Sequence, residues 1–305
     1  MSDMLPEDAS ERQLLLAGRM AQWALQGRPR LNFLAEAEFK VFSQWGEDGI
    51  IEWLVQRIPT ISQRFVEFGV ENFIEANCRF LLQNRSWRGL VLDGSDKNIK
   101  EIQGSAIYWQ HDLTASCEFV TAETIDAILI RQGFSGRIGI LSIDIDGNDW
   151  WVWKSIKAVD PDIVICEMNG VFGDLHPITI PYNPLFQRTK AHSSGLYFGA
   201  SVGALKYLAE RRGYQFLGTS SSGVNAFFVR NDLINHVAMN LSEARAFPSR
   251  HRDSRDEKKD LTFIRGQARA EAIADMPVVR VDTGETVRLG DLGPLYSQEW
   301  LSAMA

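Results

Sequence analysis

The sequence predicts an α/β protein built on a parallel, doubly wound sheet that ends in one antiparallel hairpin. Three observations carry this. From residue 64 to residue 169, short apolar runs, each closed by an acid or a polar residue, alternate with helical patterns. That alternation makes βαβ units with right-handed crossovers. Residues 138–143 are apolar on both faces, as in a strand buried inside a parallel sheet, and they stop abruptly at Asp144, Asp146 and Asp149. Residues 214–218 and 225–230 are two more β-type runs with only the Ser- and Gly-rich 219–224 between them. So short a connection forces antiparallel pairing.

The elements follow in order. Residues 10–27 read as a helix with Leu14, Leu15, Met20, Trp23 and Leu25 as its apolar face, ended by Gly27 and Pro29. A turn at 42–49 leads into a helix at 50–58, which Pro59 stops. The first β-type run is 64–72, followed by a helix at about 74–84. The second, 89–95, precedes a helix at 98–102, and 106–112 reads as a third strand ending in Asp112. A helix at about 122–132 precedes the 138–143 strand, a helix at 150–156 follows it, and 161–169 is the fifth strand-like run. Residues 170–195, with Pro177, Pro181 and Pro184, form a loop long enough to suggest function. A helix at 200–212 ends at Gly213. Beyond Phe247, residues 249–260 read as a solvated, mixed-charge linker or exposed helix, 262–274 as a helix, and 278–281 with 286–289 as a small hairpin. The expected division is an N-terminal helical cover (1–60), a core (61–235) and a C-terminal extension (236–305) without chemistry of its own.

Composition narrows the function. With 45% hydrophobic and 23% charged residues among 305, the chain is ordinary for a soluble globular protein. A net charge of -7 argues against a nucleic-acid coat or a membrane-surface role, both of which need a basic face. Three cysteines without a CxxC pair fit a reducing compartment. The acidic first eight residues do not read as a signal peptide, and no apolar run reaches the length of a membrane span. A cytoplasmic protein is expected.

The chemistry lies at the strand ends, where open parallel sheets bind ligands. Glu67 and Gly69 close the first strand. Asp93 closes the second, placed to accept both hydroxyls of a ribose, and Asp112 closes the third, placed to meet an exocyclic amine. Each acid alone also suits a helix cap; three at successive strand ends favour adenosine. Of a G-x-G-x-x-G fingerprint only Gly69 is present, and Glu71 would repel a pyrophosphate. A sulfonium ligand tolerates acids here, and S-adenosylmethionine fits.

Residues 65–70, 90–95, 141–149 and 224–230 together resemble bacterial class I S-adenosylmethionine-dependent methyltransferases, most nearly the FkbM-like enzymes of polysaccharide and secondary-metabolite clusters. The resemblance spans about residues 40–232. It implies a Rossmann-like seven-stranded sheet of order 3-2-1-4-5-7-6, last strand antiparallel, and methyl transfer, often to a sugar hydroxyl. The loop after Gly69 is poorer in glycine than is usual in that family. The expected cofactor set is Glu67, Gly69, Asp93, Gly94, Ser95, Asp112 and Asp144, with Gln44 and Glu47 as candidates for the amino group of the methionine tail.

Asp144 and Asp146 end the fourth strand, Glu167 and Asn169 the fifth. Neighbouring strands lie about 4.8 Å apart, so the four can meet one ion, and hard oxygen ligands suit Mg²⁺ or Mn²⁺. Capping and loop hydrogen bonds are the equal alternative. His192, His176, Asp149 and Asp146 are candidate proton acceptors, His192 preferred. Trp150 and Trp151 suit either a sugar-stacking wall or the core, and Trp153 the core. The expected partner is a small-molecule or glycan acceptor, with no nucleic acid and with a homo-oligomer open through the 262–289 region. Two rivals remain. In a haloacid-dehalogenase-like phosphatase, Asp144 would attack phosphorus and Asp146 act as acid; Asn148 in place of threonine and the late position of the motif count against it. The other is a non-catalytic binding module of the same fold.

Overall fold

The computed structural model describes residues 9–59, 61–237 and 239–304, so the expectation about the first eight residues lies outside it. Its strands are β1 (Arg64–Phe68), β2 (Arg88–Asp93), β3 (Leu113–Cys117), β4 (Gly136–Ile143), β5 (Val159–Glu167), β6 (Ile178–Thr179), β7 (Tyr214–Thr219), β8 (Asn225–Arg230), β9 (Pro277–Arg280) and β10 (Thr286–Arg288). Seven of them form one sheet of order β3-β2-β1-β4-β5-β8-β7. Counted without β6, which lies outside that sheet, this is the expected 3-2-1-4-5-7-6. Strand β8 is the reversed one, antiparallel to both β5 and β7. The remaining three make a small sheet, β10-β9-β6, so the expected hairpin exists and is joined by the Pro-rich loop.

The helices are α1 (Ala9–Gln26), α2 (Glu47–Arg57), α3 (Arg79–Arg85), α4 (Asp96–Gly104), α5 (Ala106–Gln110), α6 (Ile125–Arg131), α7 (Asp149–Ser155), α8 (Arg188–Ala191), α9 (Val202–Arg211), α10 (Gln267–Glu271) and α11 (Gln298–Met304). Alternation along each strand sends successive side chains to opposite faces, so the sheet buries two separate cores. Val66, Leu92, Leu141, Val164 and Phe228 pack against α6, α7 and α9, with Ile273 and Trp300 of the C-terminal region in the same cluster. Phe65, Val91, Ile140, Ile163 and Phe227 pack against α2, α3 and α4. Helices on both faces make the sheet doubly wound. Among the described residues no helix is long and apolar enough to cross a membrane.

Three local expectations are corrected. Residues 106–110 are helix α5, not strand, and the third strand is Leu113–Cys117. It is a polar edge strand, Leu-Thr-Ala-Ser-Cys, whose weak apolar signal was masked by the aromatic run before it. Helix α3 begins at Arg79, not at 74, because the side chain of Glu67 takes the amides of Asn77 and Cys78 and holds the chain ahead of it open. In the tail only Gln267–Glu271 of the expected 262–274 is helical.

The chain order reverses between β1 and β4, which lie side by side. Such a reversal opens a crevice at the carboxyl ends of the strands. Gly69 makes the close approach possible: with φ at +68°, its missing Cβ would lie 1.6 Å from the carbonyl oxygen of Asp144. Its role is thus to admit a neighbouring backbone.

Candidate active site

A cavity of about 850 Å³ runs along the carboxyl edge of the sheet, over the switch point. On the β1–β2–β3 side it is lined by Gln44, Glu67, Gly69, Glu71, Asp93, Gly94, Glu118, Phe119 and Val120. Asp93 organises this half. Its Oδ2 accepts the Glu71 N–H at 2.9 Å, and its Oδ1 accepts the Ser95 N–H at 2.8 Å and the Asn98 Nδ2–H at 3.0 Å. A carboxylate oxygen takes more than one donor, so Oδ2 keeps capacity for a ligand hydroxyl. Glu67 accepts the Asn77 N–H at 2.7 Å and the Cys78 N–H at 3.0 Å. Burial pushes its carboxyl up to about 7, against the pull of those two amides.

On the β4–β5 side, oxygens of Asp144, Asp146 and Glu167 lie within 4.8 Å of one another. Glu167 Oε2 is buried and accepts no hydrogen bond. Burial, and then Asp146 and Asp149, push the Asp144 carboxyl well up; burial, and then Asp144, do the same to Glu167. Like carboxyls this close hold a proton between them or need a cation. Asp146 has a φ of +55°, uncommon for a residue with a side chain, and accepts Arg188 Nη1 at 2.7 Å. Among the described residues these three are the group whose oxygens can converge on a metal ion.

Other expected site residues sit elsewhere. Asp149 is fully buried; its Oδ1 accepts the Ile145 N–H and its Oδ2 the Gly147 N–H, so it fastens the loop between β4 and α7 and does not line the cavity. Burial raises its carboxyl to about 6. Asn169 borders the cavity, but its Nδ2 donates to the carbonyls of Leu196 and Phe198 and its Oδ1 accepts the Val171 N–H, so its amide fastens a loop. His192 is tied through Nδ1 to Ser194 Oγ at 2.8 Å, and His176 through Nε2 to the Pro294 carbonyl at 2.9 Å; neither lines the cavity. Asp112 precedes β3 and so lies at the opposite, amino edge of the sheet. Ser95 caps α4 by accepting the Asn98 N–H. Glu47 is buried, accepting the amides of Trp45 and Gly46 and the side chain of Asn225. Trp150 and Trp151 donate to the carbonyls of Ala204 and Ile180 and belong to the core packing, as does Trp153.

The sequence reading passed over several lining residues. Phe119, 51% exposed, stands at the end of the true β3 and presents a flat apolar face. Arg188, from the Pro-rich loop, joins the site from the β4–β5 side. The mixed-charge run 249–255, expected to be a solvated linker, supplies Ser249, His251, Asp253 and Arg255, and α10 supplies Arg269. A pairing of Arg188 and Arg269 with Asp253 pulls that run onto the cavity. Nothing in its local pattern announces this, because the partners lie far apart in the chain.

No family model matches the sequence, and no curated protein matches it. Among solved structures the chain is similar to the N-terminal domain of EvdMO1 with SAH bound, at 14% identity over 69% of this chain and 94% of that one, with a TM-score of 0.39. It is similar to an O-methyltransferase from Bacillus cereus in complex with SAH, at 13% identity over 74% and 91%, TM-score 0.38. It is also similar to an S-adenosylmethionine-dependent methyltransferase from Clostridium acetobutylicum ATCC 824, at 8% identity over 60% and 90%, TM-score 0.37. Likenesses this distant carry no argument about residues or activity.

Proposed function

We propose that this chain is a cytoplasmic S-adenosylmethionine-dependent O-methyltransferase of the FkbM-like kind, acting on a hydroxyl of a sugar or glycan with Mg²⁺ or Mn²⁺ at the acceptor. One observation carries the reading: a single cavity spans the switch point, with the pre-organised Asp93 carboxylate in one half and the converging Asp144, Asp146 and Glu167 in the other. On this reading Asp93 Oδ2 would accept ribose hydroxyls, Phe119 would cover the face of a base, and Gln44 and Glu71 would hold the methionine tail. The acids that disfavour a pyrophosphate favour a sulfonium cation. The cofactor supplies an electrophilic methyl group.

The orphaned Glu167 Oε2 and its two acidic neighbours fit a hard cation, and Asp144, Asp146 and Glu167 would hold it. Such an ion would fix a hydroxyl and lower its pKa. Asp146, the exposed member, would be the carboxylate that takes the hydroxyl proton, and the bound cofactor would supply the methyl carbon that the oxygen attacks as its carbon–sulfur bond breaks.

The test is calorimetric titration with S-adenosylhomocysteine, followed by methyl transfer to a panel of glycans with and without EDTA. Saturable binding and EDTA-sensitive transfer are expected. Absence of binding overturns the reading. Transfer that ignores EDTA removes the metal alone. Phosphate release from p-nitrophenyl phosphate, lost in Asp144→Asn and without affinity for the nucleoside, would put a phosphatase in its place.

A further inference from the structure

We propose that the acceptor carries an anionic group, a carboxylate or a phosphate, received by Arg269, Arg255 and Arg188 on the cavity wall that residues 249–269 build. The proposal rests on the cavity being the methyl-transfer site and adds what the acceptor must look like.

Arg269 is the centre of the argument. It lines the cavity, yet is only 7% exposed. Its Nη2 donates to Asp253 Oδ1 at 3.1 Å, while its Nε is buried and donates to nothing. A buried guanidinium with an unused donor is costly, so a partner is missing from its surroundings. Asp253 cannot be that partner alone, because its other oxygen already accepts Arg188 Nη2 at 2.7 Å. Asp253 is thus shared between two guanidiniums, of which, among the described residues, only Arg188 has a second carboxylate, Asp146. Arg255 adds a third cation at the rim, its Nη1 donating only to the Lys259 carbonyl.

Arg188 is held in place on every side. Its Nε donates to the Gly195 carbonyl at 2.7 Å, its Nη1 to Asp146, and its plane lies over the Phe198 ring at 3.7 Å. The buried Arg269, the partly buried Arg188 and the exposed Arg255 offer guanidinium donors matched to carboxylate or phosphate oxygens. A neutral sugar would leave that wall unanswered. Asp144 and Glu167, beside the Asp146 that Arg188 binds, repel the same anion. The arginines and the acids thus orient an acidic acceptor, anion towards the arginines and hydroxyl towards the acids, and this sets which hydroxyl is methylated.

The experiment is calorimetric titration with glucuronic acid, glucose 1-phosphate and glucose, with and without saturating S-adenosylhomocysteine. At least one acidic sugar is expected to bind about tenfold or more tightly than glucose, as charge-assisted hydrogen bonds require. The better of the two tells carboxylate from phosphate. Arg269→Gln and Arg255→Gln are each expected to lose about tenfold of that affinity without moving S-adenosylhomocysteine affinity. Arg255 is exposed, so its variant carries the test if Arg269→Gln fails to fold. Equal or undetectable binding of all three sugars, or acidic-sugar binding indifferent to both substitutions, overturns the proposal. Loss of nucleoside binding with acidic-sugar binding intact would strike the methyl-transfer reading instead.

Discussion

Asp93 is a scaffold residue and, in the proposed function, also a ligand-binding one. It fastens the Glu71 amide, the Ser95 amide and the Asn98 side chain, and so joins the loop after β1 to the start of α4. Asp93→Ala is expected to weaken S-adenosylhomocysteine binding by roughly 1–3 kcal/mol, read by calorimetry, since the nucleoside loses an acceptor and the loop its anchor. Unchanged affinity would remove the ribose assignment. The histidines teach the converse. His192→Ala is expected to leave turnover within about twofold in steady-state assays, as an off-site substitution should. Acids at strand ends were legible because a strand's period fixes where its last residue points. Histidines in the 170–195 loop were not, because their reach depends on how that loop packs, and there His192 turns to Ser194 and His176 to Pro294.

At the scale of elements, the ends of β4 and β5 act together. Glu167→Gln and Asp146→Asn are each expected to abolish calorimetric Mn²⁺ binding, because each removes one of three converging charges. Mn²⁺ affinity that survives both would leave the three acids a proton-sharing cluster and nothing more. Gly69→Ala tests the approach of β1 to β4: a methyl 1.6 Å from a carbonyl oxygen cannot be housed, and a loss of about 3 kcal/mol or more in denaturant unfolding is expected. Strands β1, β2, β4, β5, β7 and β8 were visible as apolar runs because both their faces are buried. Strand β3 was misplaced because an edge strand needs little hydrophobicity, while the aromatic residues of α5 imitate alternation. The cavity wall at residues 249–269 was invisible for another reason. The Asp253 pairings with Arg188 and Arg269 are tertiary, and a run of mixed charge reads alike whether it faces water or a cavity.

For the whole molecule, Asp48 and Glu67 add to a pH dependence whose sign they share with Asp144, Asp149 and Glu167. Burial raises Asp48 to about 6 from 3.8 and Glu67 to about 7 from 4.5. Between the unfolded and folded values the native state binds more protons than the unfolded chain, so stability falls as pH rises through that window. The two groups together are worth on the order of a few kcal/mol. A lower urea midpoint at pH 8 than at pH 5.5 is expected, and a midpoint that rises over that interval would show the two carboxyls to be ordinary. The same view of the whole chain bears on its synthesis. The large sheet is complete at Arg230, but the cavity wall that carries Asp253, Arg255 and Arg269 comes later. At roughly 5–20 residues per second, a ribosome would release the nucleoside-side trough a few seconds before the opposite bank. A message truncated in that interval would yield a particle able to form its strands yet lacking the bank where an acidic acceptor would moor.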